Sequence, residues 1–244
     1  MEKIAVIGFD NKDEIIKRYA DKAEFDFDPE YSGKSSEYAY SAVFIKSGQS
    51  ESVIKCWLGN EHLRIAADYA ALICEIDFFL GIPEPLEIER KFLIKKPAEN
   101  TLAENALCDF VDIAQAYVNR NGERFRVRKR GRDGDFIYIK TQKTKLTEMK
   151  RIEKETRITK AQYEECIKGE KVLYKRRWLI LYKEKFFELD IFPFWADRAL
   201  LEIELKSEEE TFELPPFLEV EKEVTQDKSF RNSVLCQLYG IRQK

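Results

Sequence analysis

The 244-residue sequence holds a single histidine, His62, which argues against a metal centre built on imidazoles and against a Ser–His relay; it reads as a surface or packing residue. Cysteine is equally uninformative as chemistry. Cys56, Cys74, Cys108, Cys166 and Cys236 are scattered, odd in number and never spaced C-x-x-C. They read as reduced packing residues of a cytoplasmic protein, and no zinc or thiol-redox site is expected. No apolar run approaches the length of a bilayer span, and the opening "MEKIAVIGF" lacks the layout of a signal peptide, so no membrane partner is expected. Charge of one sign is missing too. The 42 Lys and Arg nearly balance 45 Asp and Glu, leaving −3, so any anion site must come from local clustering and not from a general pull toward nucleic acid. With 44% hydrophobic and 36% charged residues, the chain is expected to fold around a core and stay soluble.

What is present divides near "GIPEPLE", where Pro83 and Pro85 bracket Glu84. Before it, residues 1–84 read as a small α/β domain. Lys3–Gly8 and Ala39–Ile45 are predicted strands, and Asn11–Ala20 a short helix. A second helix is predicted over His62–Leu80, stopped by Gly81. After it, residues 85–244 become a succession of short strands: Leu86–Ile94, Phe110–Val118, Arg124–Arg130, Asp135–Thr141, Lys150–Ile158, Lys171–Leu181, Lys185–Phe192 and Leu200–Lys206. Thr159 and Gly169 bound one helix among them, and another is predicted over roughly Asp227–Tyr239. Eight strands with tight connections favour an antiparallel barrel, in an α+β chain.

Those strands share an unusual pattern. "PLEIERKFLI" alternates Glu87, Glu89 and Lys91 with apolar or outward positions at period two. Arg126 and Arg128 repeat the spacing in "RFRVRKR", as do Glu153 and Glu155 in "RIEKE", Lys175 and Arg177 in "YKRRW", and Glu202 and Glu204 in "LLEIEL". Lys140 ends "FIYIK", and Asp190 lies among apolar residues in "FFELDIF". A solvent-facing sheet accounts for any one of these strands. Taken together, carboxylates sorted to some strands and cations to others suit charged faces turned into a closed barrel, whose interior has room for side chains or one small ligand. Unpaired charges there are costly, so the expected guest is a polyanion with hard divalent cations. Arginine gives bidentate contacts to phosphate oxygens.

In their order these motifs resemble the CYTH superfamily, the triphosphate tunnel metalloenzymes. "EIERK" is similar to the ExExK signature, "IAQAYV" to the second-strand motif around Gln115, and "RFRVR" and "YIK" to the phosphate-binding strands. "RIEKE", "FELDIF", "LLEIEL" and "EVTQDKSFRN" follow in sequence, and the resemblance runs over Leu86–Gln237. It implies an eight-stranded antiparallel β-barrel covered by helices, a tunnel that hydrolyses a triphosphate with Mg²⁺ or Mn²⁺. Carried over by position, Glu87, Glu89, Lys91, Glu202 and Glu204 are implied as catalytic. Lys91, Arg126, Arg128, Lys140, Lys175, Arg177 and Lys228 are implied as phosphate ligands. The implied metal ligands are Glu87, Glu89, Asp190, Glu202 and Glu204, with Glu153 and Glu155 either assisting a second metal or buffering the basic side chains.

Two departures bear on function. Ala116 stands where many members have Gly. Some members also carry a P-loop kinase domain ahead of the tunnel, but here "KIAVIG" leads into "FDNKDE", with no G-x-x-x-x-G-K-[ST] to cradle phosphate. Residues 1–84 therefore resemble a degenerate remnant with a structural or interaction role. The short "EIERKFL" form resembles the bacterial inorganic triphosphatase type. Nucleoside and thiamine triphosphates and an RNA 5′-triphosphate end stay open as substrates, although no wider nucleic-acid partner is expected. CYTH-type adenylate cyclisation and a non-catalytic polyphosphate-binding module are the alternatives.

Overall fold

The computed structural model describes residues 1–33, 38–82, 87–120, 122–145, 150–205, 207 and 209–243, without the side chains of 87, 143–145 and 150–154. The predicted Pro83–Pro85 junction therefore lies outside the described residues. The chain divides into two compact units, Met1–Pro85 and Leu86–Lys244. No helix among the described residues is long and apolar enough to cross a membrane.

The first unit is a parallel α/β fold. Strands β1 (Glu2–Ile7), β2 (Ala23–Phe27), β3 (Ala42–Lys46) and β4 (Leu63–Ala66) lie in the order β2-β1-β3-β4. Helices α1 (Lys12–Tyr19), α2 (Glu51–Trp57) and α3 (Tyr69–Phe79) connect or follow them. Ile4 and Val6 of β1 pack with Ile15 and Tyr19 of α1 and with Leu72 and Ile76 of α3. The predicted helix over His62–Leu80 is thus two elements. Leu63–Ala66 is a half-buried parallel strand beside β3, and the helix begins only where the Asp68 side chain accepts from the Ala71 N–H. A strand buried at its two ends, Leu63 and Ala66, shares the i, i+3 spacing of a helix turn, so the Asp68 cap was the distinguishing signal. Strand β2 and helix α2 were not predicted.

The second unit is a ten-stranded antiparallel sheet. Its long strands are β5 (Glu87–Lys95), β6 (Leu107–Arg120), β7 (Glu123–Arg132), β8 (Asp135–Lys145), β9 (Lys150–Arg157), β10 (Lys171–Tyr182), β11 (Lys185–Ile191) and β12 (Arg198–Leu205). Pairings run β11-β12-β5-β9-β8-β7-β6-β10, and β10 also pairs with β11, so the path through these eight returns to its start. Beyond the eight predicted strands, β13 (Val220–Glu223) pairs with β5 and β14 (Ile241–Arg242) with β10.

Alternation gives every strand two faces. One face of β5, β10, β11 and β12 is apolar, joining Ile88, Phe92, Trp178, Phe187, Leu189 and Leu201, and is covered by Leu102 of helix α4 (Glu99–Asn105) and by Leu218. Helix α5 (Lys160–Ile167) covers Val118, Val127 and Val172 with Tyr163; Thr159 starts it as expected from sequence, and with Gln162 it forms a capping box. The opposite face carries the charges. At one end it turns apolar, where Leu93 of β5, Leu173 of β10 and Leu200 of β12 pack with Leu235 and Cys236 of helix α6 (Asn232–Tyr239). Leu93 and Leu173 sit on strands that are not neighbours, so this face is concave. The predicted Asp227–Tyr239 helix is broken: Asp227 caps a short 3-10 turn, Lys228–Phe230, before α6 starts afresh.

Candidate active site

Register puts the charged residues in rows. Glu204 of β12 lies opposite Glu89 of β5, and Glu202 lies opposite Lys91 on one side and Glu188 of β11 on the other. Opposed Cβ atoms in such pairs stand about 5 Å apart, close enough for two carboxylates to share one cation. Asp190 is opposite Arg177 of β10. On the other side of the ring, Arg126 and Arg128 of β7 are opposite Tyr117 and Gln115 of β6.

The deepest group is one network. Asp190 is completely buried, and both its oxygens are taken: Arg177 Nε is 2.6 Å from Oδ1, while Arg177 Nη2 and Lys175 Nζ lie 2.7 and 2.5 Å from Oδ2. Arg177 also donates to Glu188, and its Nη2 reaches Glu202 Oε2 at 2.8 Å. The other oxygen of Glu202 is 2.7 Å from Lys91 Nζ, which stands 3.9 Å from Glu89. A second cluster surrounds Glu155, which accepts from Arg128 at 2.5 Å, Thr141 at 2.8 Å and Arg126 at 3.4 Å.

These contacts set the electrostatics. Burial pushes Lys175 down to about 8, with the Arg177 charge adding to the effect and Asp190 and Glu202 opposing it. For Lys91 burial works the same way, but Glu202 and Glu89 overcome it and hold the ammonium above its ordinary range. Burial would raise the Glu202 carboxyl, yet Lys91, Arg177 and Lys175 hold it well below the usual carboxylate range. Burial raises the Tyr117 hydroxyl, against Arg126, Lys91 and Arg128. That Lys91 of β5 acts on Tyr117 of β6 again places non-adjacent strands across one concavity.

Of the residues singled out in the sequence, Glu89, Lys91, Arg126, Arg128, Glu155, Lys175, Arg177, Asp190, Glu202 and Glu204 share this face. The side chains of Glu87 and Glu153 lie outside the described ones. Lys140 is a correction. It is opposite Val127, not Arg126, so it falls on the outer face, with Nζ 4.2 Å from the centre of the Phe125 ring. Lys228 is exposed on its 3-10 turn. Asp190, implied as a metal ligand, has both oxygens engaged by Arg177 and Lys175 in this structure, so here it serves those cations. Glu155, implied either to assist a second metal or to buffer the basic side chains, accepts from Arg128 and Arg126 in this structure.

Glu188, Arg130 and Thr141 were missed. Arg130 and Thr141 are fully buried on the charged face, and Glu188 binds Arg177. Arg130 continues the spacing of Arg126 and Arg128, and Glu188 precedes Asp190 by two, so the signal was present. Glu89, Glu202 and Glu204 are hard oxygen donors on adjacent strands, the chemistry a divalent cation takes, although their oxygens are not gathered around one point in this structure.

No family model and no curated protein matches the chain. Among solved structures it is similar to the inorganic triphosphatase NE1496, at 28% identity, covering 62% of this chain and 93% of that one, with a TM-score of 0.43. It is also similar to PH1819 from Pyrococcus horikoshii OT3, at 19% identity over 50% and 80% of the two chains and a TM-score of 0.38. HpAC1 from Hippeastrum, named for adenylyl cyclase and showing a dominant triphosphatase activity, matches at 12% identity over 49% and 80%, with a TM-score of 0.34. The ordered motifs of the second unit, and the strand path that carries them, resemble those of the CYTH superfamily.

Proposed function

We propose that the second unit is a triphosphate tunnel that hydrolyses the terminal phosphate of a triphosphate, with inorganic triphosphate the favoured substrate. One observation carries the reading: Lys91, Arg126, Arg128, Lys175 and Arg177 line one concave face, whose outer row is the carboxylate pair Glu89 and Glu204. The eight paired strands then close around the substrate as a barrel. Lys91, Arg126, Arg128 and Arg177 bind the phosphate oxygens, and Arg130 and Lys175 strengthen the positive field behind them. Glu89, Glu202 and Glu204, joined by Glu87 from the motif, hold Mg²⁺ or Mn²⁺. When bound, such an ion neutralises phosphate charge and lowers the pKa of a coordinated water. Water displaces diphosphate from the terminal phosphorus, and the arginines take up the charge that grows on the leaving oxygen. Asp190 and Glu155 position cations and do not touch metal.

Residues 1–84 fit a structural or interaction role. The turn after β1 commits the Gly8 N–H to the Asp28 carboxylate at 2.7 Å, an arrangement that opposes phosphate at that amide.

The test is orthophosphate release from tripolyphosphate, ATP, GTP and thiamine triphosphate, compared by kcat/KM with Mg²⁺ and with Mn²⁺. The largest value is expected for tripolyphosphate, with loss in Glu204→Gln. Cyclic AMP and diphosphate from ATP would establish the cyclase alternative. Tripolyphosphate binding without release under either metal would establish the non-catalytic module.

A further inference from the structure

We propose that Glu202 is a shared carboxylate through which divalent cation and triphosphate bind cooperatively. Without ligands it neutralises Lys91 and Arg177; once a cation draws it away, both become available to phosphate. The inference rests on the triphosphatase reading and adds to it the order of events inside the site.

The geometry gives Glu202 two competing neighbourhoods. Its oxygens face inward to cations, Oε1 to Lys91 at 2.7 Å and Oε2 to Arg177 at 2.8 Å, with the side chain only 8% exposed. Along β12 its next neighbour on the same face is the exposed Glu204, opposite Glu89. A cation held by Glu89 and Glu204 has Glu202 as its next carboxylate, and each oxygen it takes is one fewer for Lys91 or Arg177. Asp190 differs: completely buried beneath the same guanidinium, it keeps Arg177 and Lys175 in place whatever happens at Glu202. Lys91 is the more exposed to the exchange, since Glu89, the other carboxylate beside it, is 3.9 Å away. A buried ammonium that loses its carboxylate is costly to leave uncompensated, and a phosphate oxygen restores the balance. By linkage the effect is reciprocal, so each ligand raises affinity for the other by the same factor.

The exchange makes a prediction opposite in sign to that of a merely structural role. In EDTA, Glu202→Gln is expected to bind tripolyphosphate about tenfold more tightly than wild type, within the range usual for coupled sites, because the Glu202 carboxylate no longer competes with phosphate for Lys91 and Arg177. Mn²⁺ should then add little, whereas it strengthens binding in wild type. Glu204→Gln controls for the loss of one negative charge and should change affinity in EDTA by less than about twofold. Isothermal titration with tripolyphosphate gives these values, and melting curves establish folding. In the reciprocal direction, Lys91→Met should bind Mn²⁺ alone more tightly than wild type, read by electron paramagnetic resonance. Equal or weaker tripolyphosphate binding by folded Glu202→Gln, or an equal gain in Glu204→Gln, overturns the proposal. If Glu202→Gln does not fold, unchanged or weaker Mn²⁺ affinity in Lys91→Met overturns it. A wild-type protein that binds tripolyphosphate neither in EDTA nor with Mn²⁺ instead defeats the triphosphatase reading and the proposal with it.

Discussion

Asp190→Asn decides between two roles for a carboxylate on this face. The wild-type side chain is completely buried, with one oxygen 2.6 Å from Arg177 and the other 2.5 Å from Lys175. Asparagine keeps the volume and one oxygen, so no cavity forms, but the negative charge between two buried cations is gone. Removing one partner of a buried ion pair costs about 3–5 kcal/mol. Glu188 and Glu202 still hold Arg177, which favours the lower end. With a slope of about 2 kcal/mol per molar urea, a loss of about 3 kcal/mol lowers the midpoint by about 1.5 M. Emission from Trp178 and Trp195, in a Trp57→Phe background, confines the signal to the second unit. Tripolyphosphate should restore part of the loss, because its oxygens replace the missing charge and ligand binding to the native state adds stability by mass action. An unchanged midpoint together with a collapse of Mn²⁺ affinity would show that Asp190 is a metal ligand, as the sequence motif implied, and would refute its positioning role.

Lys175 sets a pH dependence. Its ammonium titrates near 8 in the folded chain but near 10.5 when unfolded, so the native state binds fewer protons between those values and stability rises with pH across that window, measurable by urea midpoints. Tripolyphosphate favours the protonated form, so its affinity should fall as pH rises past 8, with proton uptake visible as buffer-dependent binding heat. Lys140→Ala should leave tripolyphosphate affinity within about twofold of wild type, while Arg128→Ala should lose about tenfold or more, the worth of one charge-assisted hydrogen bond. Equal losses in a binding titration would refute the face assignment. Gly131→Ala should destabilise the second unit by at least about 1–3 kcal/mol in thermal melts. The backbone there has φ +141°, and a Cβ would lie 2.0 Å from the Asp135 carbonyl oxygen.

Much of the charged face was legible because a strand repeats every two residues: Glu89 with Lys91, Lys175 with Arg177 and Glu202 with Glu204 all share it as their spacing required. Lys140 shows the limit. Its own strand also alternates, but which set of positions faces inward depends on pairing, and a shift of one residue exchanges the faces. No local pattern reveals that Lys140 opposes Val127. Arg130 failed for another reason, since in "RKRGR" a buried arginine looks like part of a solvated basic run. In the first unit, "HLRIAADY" satisfies helix spacing up to the point where β3 recruits Leu63–Ala66 as a fourth strand, an outcome set by the sheet and not by the segment. The extra strands β13 and β14 are two to four residues long and exist only as additions to β5 and β10.

Residue type alone also failed to separate the carboxylates, and depth explains why. A face that gathers this many cations must carry counter-charge before any ligand arrives, so some acidic residues serve the cations and others the metal. Asp190 has no solvent exposure and Glu155 accepts from two arginines; moving either toward an ion would strip buried guanidinium groups of their partners. Glu204 is exposed and lies opposite Glu89, where solvent can compensate the charges that a departing or arriving ion leaves behind. Glu202, its side chain 8% exposed, stands in depth between Asp190 and Glu204, deep enough to be held by Lys91 and Arg177 yet one step along β12 from Glu204. The residue best placed to hold counter-charge and surrender it is the intermediate one. A fully buried carboxylate would make the exchange too costly, and a fully exposed one would never have neutralised the cations.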